Sequence, residues 1–273
     1  MKNTRDTVRQ SVVVASAIIA VVGAFIGSGA AGGTPIQYAA GGALAADATP
    51  LAPGGPAFAI WTPIYAGLVA YAVWQLLPSQ RADQRQRRLG YPIAISLILN
   101  AAWILSIQFD FLAASVPIIV ALLAVLVVAF RITLASRPRN LAETVVADGT
   151  VGLYLGWVCV ATAANITALL VATGFRGLGV GADIWAVAIV AVAGLVGVLL
   201  AIDGRGRLAP AVALSWGLAW VAIARLSGDL LSTPTAVAAI VAGSVVVVVT
   251  IVLNLRTARF RRTSARNVDV VNA

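Results

Sequence analysis

The sequence predicts an all-α, polytopic membrane helix bundle of about eight transmembrane helices, with both termini in the cytoplasm. Three observations predict it. Of 273 residues, 60% are hydrophobic and 11% charged, with a mean hydropathy of +0.96, whereas a soluble domain carries about 25% charged residues. The apolar residues fall in runs long enough to cross a hydrocarbon core about 30 Å thick, which takes about 17–25 residues. The basic residues cluster between these runs in alternate loops, as in a protein sorted by the positive-inside rule.

The runs cover residues 11–32, 57–77, 92–108, 115–135, 150–173, 184–202, 208–224 and 234–255, the third and seventh being the shortest. With Met1 inside, the inner segments hold Lys2, Arg5 and Arg9; Arg81, Arg85, Arg87 and Arg88; and Arg131, Arg137 and Arg139. They also hold Arg205 and Arg207, then Arg256, Arg259, Arg261, Arg262 and Arg266, which brings the total to seventeen of the nineteen basic residues. Arg176 and Arg225 fall outside. A wrong span count would scramble this alternation. The N-terminal run is read as an uncleaved first helix rather than a secretory signal, because it is about 20 residues long and seven more spans follow. The longest loop, residues 33–56, is external, rich in Gly, Ala and Pro, and carries Asp47 as its one charge.

Composition also narrows function. The net charge of +9 sits in short loop clusters with no interleaved stacking aromatics, so no nucleic-acid partner is expected. There is no histidine, which removes the commonest metal and haem ligand and the usual near-neutral proton shuttle. Cys159 is the single cysteine and lies mid-span, leaving no disulfide framework and no cysteine metal cluster. The one lysine is Lys2, so no span can form a retinal Schiff base. The ten acids fall at helix ends or in loops, with Asp110 and Asp148 nearest a span, so an ion-driven pump has little support. Neither a catalytic residue nor a metal ligand can be nominated.

What the spans do contain is uncharged polarity and tryptophan. Trp61, Tyr65, Leu68 and Ala72 share a helical face in the second span, as do Ser96, Asn100, Trp103 and Ile107 in the third. In the fifth, Tyr154, Trp157, Ala161 and Asn165 lie within roughly 80° of arc. Asparagine in hydrocarbon is costly without a partner, so these faces should point inward. Helix packing and interfacial aromatic belts are the ordinary uses of such residues. Three helices that each offer Trp with Asn or Tyr on one face suit, in addition, a planar and largely apolar ligand with a few hydrogen-bonding edges.

At these residues the sequence resembles a family. PGGPAFAIWTPIY from Pro53 is similar to the start of the second helix in TspO/MBR proteins (tryptophan-rich sensory proteins, the translocator protein family). NAAW from Asn100 resembles that family's Asn-x-x-Trp in helix three, and LYLGWVCVATAAN from Leu153 its Tyr-Leu-x-Trp…Ala…Asn signature in helix five. The blocks occur in order over roughly the first 170 residues. The resemblance implies a five-helix bundle with a cavity toward the outer side, capped by the loop after helix one. Family ligands include porphyrins, haem, sterols and isoquinoline-type compounds. By the same resemblance Trp61, Asn100, Trp157 and Asn165 would line the cavity, with Tyr65, Trp103 and Tyr154 as neighbours.

The chain departs from that pattern by three further spans. It divides into a TspO-like bundle (1–173), three additional helices (174–255) and a basic cytoplasmic tail (256–273). The additional helices leave the oligomeric state open, since they would cover a surface through which the smaller proteins dimerise. Trp220, in the seventh span, is expected to lie apart from the ligand site. One reversed sterol-like pattern, Arg88, Tyr91 and Leu97, is present. Gly23, Gly27 and Ala31, and again Ala193, Gly197 and Ala201, have the small-xxx-small spacing of close helix contacts. Asp203, Arg205 and Arg207 read as a solvated inner turn.

Two functions fit. One is a multi-pass cell-membrane sensor or translocator that binds a tetrapyrrole-type ligand in an intramembrane pocket and requires no cofactor. The other is a permease for a small amphipathic solute, with the three additional helices forming part of the pathway. The expected partners are membrane lipid and an apolar small molecule. An enzyme acting on a bound porphyrin is disfavoured, because the spans lack the residue types of acid–base catalysis.

Overall fold

The computed structural model describes residues 4–271, with side chains through Phe260. Lys2, and the side chains of Arg261, Arg262 and Arg266, lie outside the described residues. Among the described residues there is no strand, and eight helices are long and apolar enough to span a membrane. They are α1 (Thr4–Gly27), α2 (Gly55–Trp74), α3 (Gln84–Gln108), α4 (Leu112–Ala135), α5 (Leu141–Ala172), α6 (Ala182–Asp203), α7 (Leu208–Ser227) and α8 (Thr233–Val271). The chain is a polytopic all-α membrane bundle.

Helix ends follow capping chemistry more than hydropathy. α3 starts well before the apolar run because Asp83 caps it, accepting from the Gln86 backbone N–H at 2.9 Å. The RQRR stretch then forms its first turns. α5 starts at Leu141, where the Asn140 side chain accepts from the Glu143 N–H at 2.9 Å. Its second turn, Thr144–Gly149, widens to π geometry before the α-helix resumes at Thr150. α1 ends at Gly27, earlier than the apolar run, and α8 continues unbroken to Val271.

Five helices form a closed ring in the order α1, α2, α5, α4, α3. α7 packs against the outside of α5, and α6 and α8 pack on α7 and on each other. There are two apolar cores, one mainly within the ring but reaching Ala213 of α7, the other mainly among α6, α7 and α8 but including Val160 of α5, and Cys159 of α5 touches both. Lipid tails are as apolar as leucine, so helices associate in a membrane by close packing and hydrogen bonds rather than by hydrophobic burial. Small residues mark the contacts. Gly23 and Gly27 face Ala101 and Ile104 of α3, and Gly197 faces Val246 of α8. A very tight joint lies between α5 and α7, where a Cβ on Gly156 would stand 2.1 Å from the Pro210 carbonyl oxygen. Ala31 lies beyond the end of α1 and takes no part in that helix's stripe.

Buried charge ties the arginine-rich end together, and this corrects the reading of the inner turn at Asp203 and Arg207. Arg85 is ion-paired with Glu143 at 2.9 Å and with Asp148, all three buried. Arg207 reaches the other Asp148 oxygen at 3.1 Å and donates to the Thr133 carbonyl at 2.8 Å. Glu143 also accepts from Gln86, whose own amide oxygen accepts from Tyr71. The network links α2, α3, α4, α5 and the α6–α7 turn. Asp203 and Arg207 are therefore committed to partners, Asp203 with Arg131 at 3.1 Å. A buried charge is tolerable only when paired and hydrogen-bonded, and sequence periodicity carries no sign of such cross-helix pairing. The sterol-like pattern fails as a surface: Arg88 and Tyr91 are exposed, but Leu97 is buried.

Candidate ligand-binding site

At the end of the ring opposite the arginines, the segment between α1 and α2 folds over the bundle. Ala39, Leu44, Leu51 and Ala52 bury against the helices beneath. The segment makes one short helical turn at Ala39–Gly42 and then leads through Pro53, Gly54 and Gly55 into a 3-10 turn that opens α2. That turn delivers Phe58 and Trp61 to the bundle interior.

The seven residues that the family resemblance points to, all on the polar and aromatic helix faces, come together here. Trp61 is the hub. Its ring lies 5.7 Å from Tyr65, 6.2 Å from Trp103, 5.8 Å from Tyr154 and 6.2 Å from Trp157, the last two edge-to-face. Such offset and edge geometries match positive ring edges to negative faces. Polar atoms between the helices are mostly paired. Asn100 Nδ2 donates to Tyr65 Oη at 2.6 Å, and Trp103 Nε1 donates to Asn165 Oδ1 at 2.6 Å. Asn165 Nδ2 donates to Ser115 Oγ at 2.8 Å, and Tyr154 Oη to the Ser96 carbonyl at 3.3 Å.

Three polar atoms here are buried with no partner: Asn100 Oδ1, Trp157 Nε1 and Thr49 Oγ1. Trp157 and Thr49 border the same cavity, about 30 Å³, between the covering segment and the helices. It is walled by Leu44, Phe58, Trp103 and Ala161 among others. That space holds a water or two and no large ligand. A planar molecule enters this site only if the aromatic rings part and the covering segment lifts.

A match to a family of TSPO-like proteins runs over residues 13–253. The chain belongs to that family. The match extends through α6, α7 and most of α8, so these helices fall within what the family model describes. No curated protein and no solved structure matches the chain.

Four residues at this TSPO-like site were not nominated from sequence. Ser115 completes the Asn165 hydrogen bond, Thr49 and Phe58 border the cavity, and Arg225 holds the covering segment. Arg225 is 1% exposed. It donates to the Thr49 carbonyl at 2.9 Å and also to that of Ala46. The signal was available, since Arg225 is one of two basic residues that break the charge alternation. Trp220, expected to lie apart, packs on the main core, and its carbonyl accepts from the Gly54 N–H at 3.2 Å. Trp216 Nε1 donates to the Ala57 carbonyl at 2.9 Å. α7 thus anchors the cap at two places and the turn that opens α2 at a third.

Proposed function

We propose that this TSPO-like membrane protein is a sensor or translocator that binds a planar, largely apolar ligand of the tetrapyrrole type beneath the cap. The observation that carries the reading is the convergence of four aromatic rings on Trp61, beside a buried donor, Trp157 Nε1, and a buried acceptor, Asn100 Oδ1, both without partners. Leaving a polar atom buried and unpaired costs about 1–3 kcal/mol. A ligand that slides between the rings and meets both atoms recovers that cost, while its flat faces replace the ring–ring contacts it displaces. Trp61, Tyr65, Asn100, Trp103, Tyr154, Trp157 and Asn165 are the proposed ligand-binding residues.

The test is a protoporphyrin IX titration of the purified, monodisperse chain, followed by tryptophan quenching. Saturable binding is expected. Trp61→Leu and Trp157→Leu keep bulk but remove a flat face, so each weakens binding about tenfold, or about 1.4 kcal/mol. Trp185→Leu is the control, because that ring packs on Phe175 at the start of α6 and leaves affinity unchanged. Equal affinity in the wild type and both site variants would overturn the assignment and return these rings to packing.

The permease reading draws support from the three anchors of α7 on the cap and on the start of α2, which tie the last three helices to the pocket. Solute uptake into proteoliposomes distinguishes the two: a sensor binds without net flux.

A further inference from the structure

A second, much larger space opens at the arginine-rich end. It is an open cleft of about 1280 Å³ between α2 and α7, floored by the start of α5 and bordered at its mouth by the end of α4, by α8 and by the α4–α5 and α6–α7 connections. α2 meets α7 near the cap, through Trp216 and Trp220; toward the arginines, Ala66, Gly67 and Ala70 of α2 face Leu208 and Ala209 of α7 across the cleft. From Pro63 to Ala70 the groove along α2 is roughly 10 Å long at about 1.5 Å per residue. Its walls there are small and apolar.

The mouth is different. Arg131, Arg137, Arg205 and Arg207 border it, with Asp148 and Asp203 as the acids. Arg131 and Arg207 are ion-paired with those two acids. Arg137 and Arg205 are exposed and form no ion pair among the described residues. The mouth therefore carries two uncompensated positive charges. Arg205 is held there at a cost: its φ is +52°, a conformation disfavoured by any Cβ. The turn is pinned to α8, with Thr257 Oγ1 donating to the Arg205 carbonyl at 3.2 Å and Asn254 Nδ2 to that of Gly206 at 3.0 Å. Glycine would satisfy this backbone without strain, yet an arginine occupies it. Strain of this kind clusters at functional sites, and Arg205 shares it with Ala40, Asp110 and Leu178.

From the apolar groove beneath a doubly cationic mouth, we propose that the cleft is a binding site for an anionic phospholipid. Its phosphate lies between Arg137 and Arg205, and an acyl chain runs along α2 past Ala70 and Ala66. The arginine-rich end faces the cytoplasm by the positive-inside rule, so the lipid comes from the inner leaflet. A groove that ends in two arginines selects charge at the headgroup and accepts any saturated chain.

The test uses the full chain in detergent and native mass spectrometry with dioctanoyl phosphatidylglycerol, dioctanoyl phosphatidylcholine and inorganic phosphate. Phosphatidylglycerol is expected to bind at least about tenfold more tightly than phosphatidylcholine. Arg137→Gln and Arg205→Gly each weaken phosphatidylglycerol about fivefold, the scale of one basic residue at an anionic lipid. Arg205→Gly also relieves the left-handed strain, so its melting temperature holds or rises, which separates lost binding from lost fold. Ala70→Phe, on the exposed face of α2, fills the groove and weakens phosphatidylglycerol. Arg88→Gln, exposed on α3 away from the cleft, changes nothing. Equal binding of the two lipids would overturn the proposal, as would an Arg88→Gln loss equal to that of the mouth arginines. Inorganic phosphate that displaces phosphatidylglycerol at equal concentration would overturn it too, leaving a site for a phosphorylated solute.

Discussion

Asn100 shows how one side chain can serve ligand and fold in opposite senses. Its Nδ2 satisfies Tyr65, but its Oδ1 is buried with no donor, and the residue is 1% exposed. Replacing such a group by an apolar one of similar size removes a desolvation cost, whereas the bond it gives up contributes about 0.5–1.5 kcal/mol net. Asn100→Leu is therefore expected to leave the melting temperature unchanged or raised while protoporphyrin affinity falls about fivefold. Thermal unfolding and the titration, run on one preparation, check both halves. A lower melting temperature with unchanged affinity would make Asn100 a packing residue. Asn100 was legible in the sequence because polar and aromatic residues recur at helical spacing on a single face of α2, α3 and α5. Ser115 was not, being one small hydroxyl three residues into an apolar helix. Thr49 and Phe58 were not either: their places depend on how the cap folds, and no periodicity encodes that. The charged partners Arg85, Glu143 and Asp148 looked like ordinary loop residues because their pairing joins positions 58 and 63 residues apart.

Among the elements, the joint between α5 and α7 decides how α6, α7 and α8 belong to the bundle. Gly152 and Gly156 of α5 receive Ala209 and Pro210, and Gly217 of α7 receives Val160. A methyl on Gly156 meets backbone at 2.1 Å, and backbone, unlike a side-chain tip, cannot swing away. Gly156→Ala should destabilise the protein by about 1–3 kcal/mol through overpacking. Gly181→Ala serves as the control, since its φ is −61° and nothing stands within 4 Å of the added carbon. Denaturation in detergent should show the loss in the first variant and no change in the second. All eight spans were visible from run length and charge alternation, because hydrocarbon thickness sets the first and topology the second. The partner of each span was not visible. Gly23 with Gly27 and Gly152 with Gly156 share one spacing, yet the first pair faces α3 and the second α7. Small-xxx-small spacing announces close contact without naming the neighbour.

For the molecule as a whole, the question is whether the ring of five helices is complete without the three that follow. The ring closes on itself, and its own core contains Trp61, Trp103, Tyr154 and Trp157. The cap does not close by itself. It is fastened by the Gly54 N–H on the Trp220 carbonyl and by Arg225 on two carbonyls, and the turn of α2 that follows it by Trp216 Nε1 on the Ala57 carbonyl. Neutral bonds of this kind contribute about 1 kcal/mol each, and bonds to a charged donor about 1.5–3 kcal/mol, so losing all of them costs the closed cap on the order of 5 kcal/mol. A chain ending at Thr173 is thus expected to keep the helical content of a five-helix ring yet bind protoporphyrin at least tenfold more weakly than the full chain. The face of α5 bared at Gly152 and Gly156 gives that chain a surface for self-association, which sedimentation will register. Co-expressing residues 174–273 as a separate fragment restores affinity if α7 acts by holding the cap. Arg225→Met in the full chain removes one anchor without removing a helix, and should speed both association and dissociation of the porphyrin in stopped-flow mixing. A folded truncated chain that binds as tightly as the full protein, together with unchanged rates for Arg225→Met, would show that α7 merely covers the ring and that the cap closes on contacts of its own.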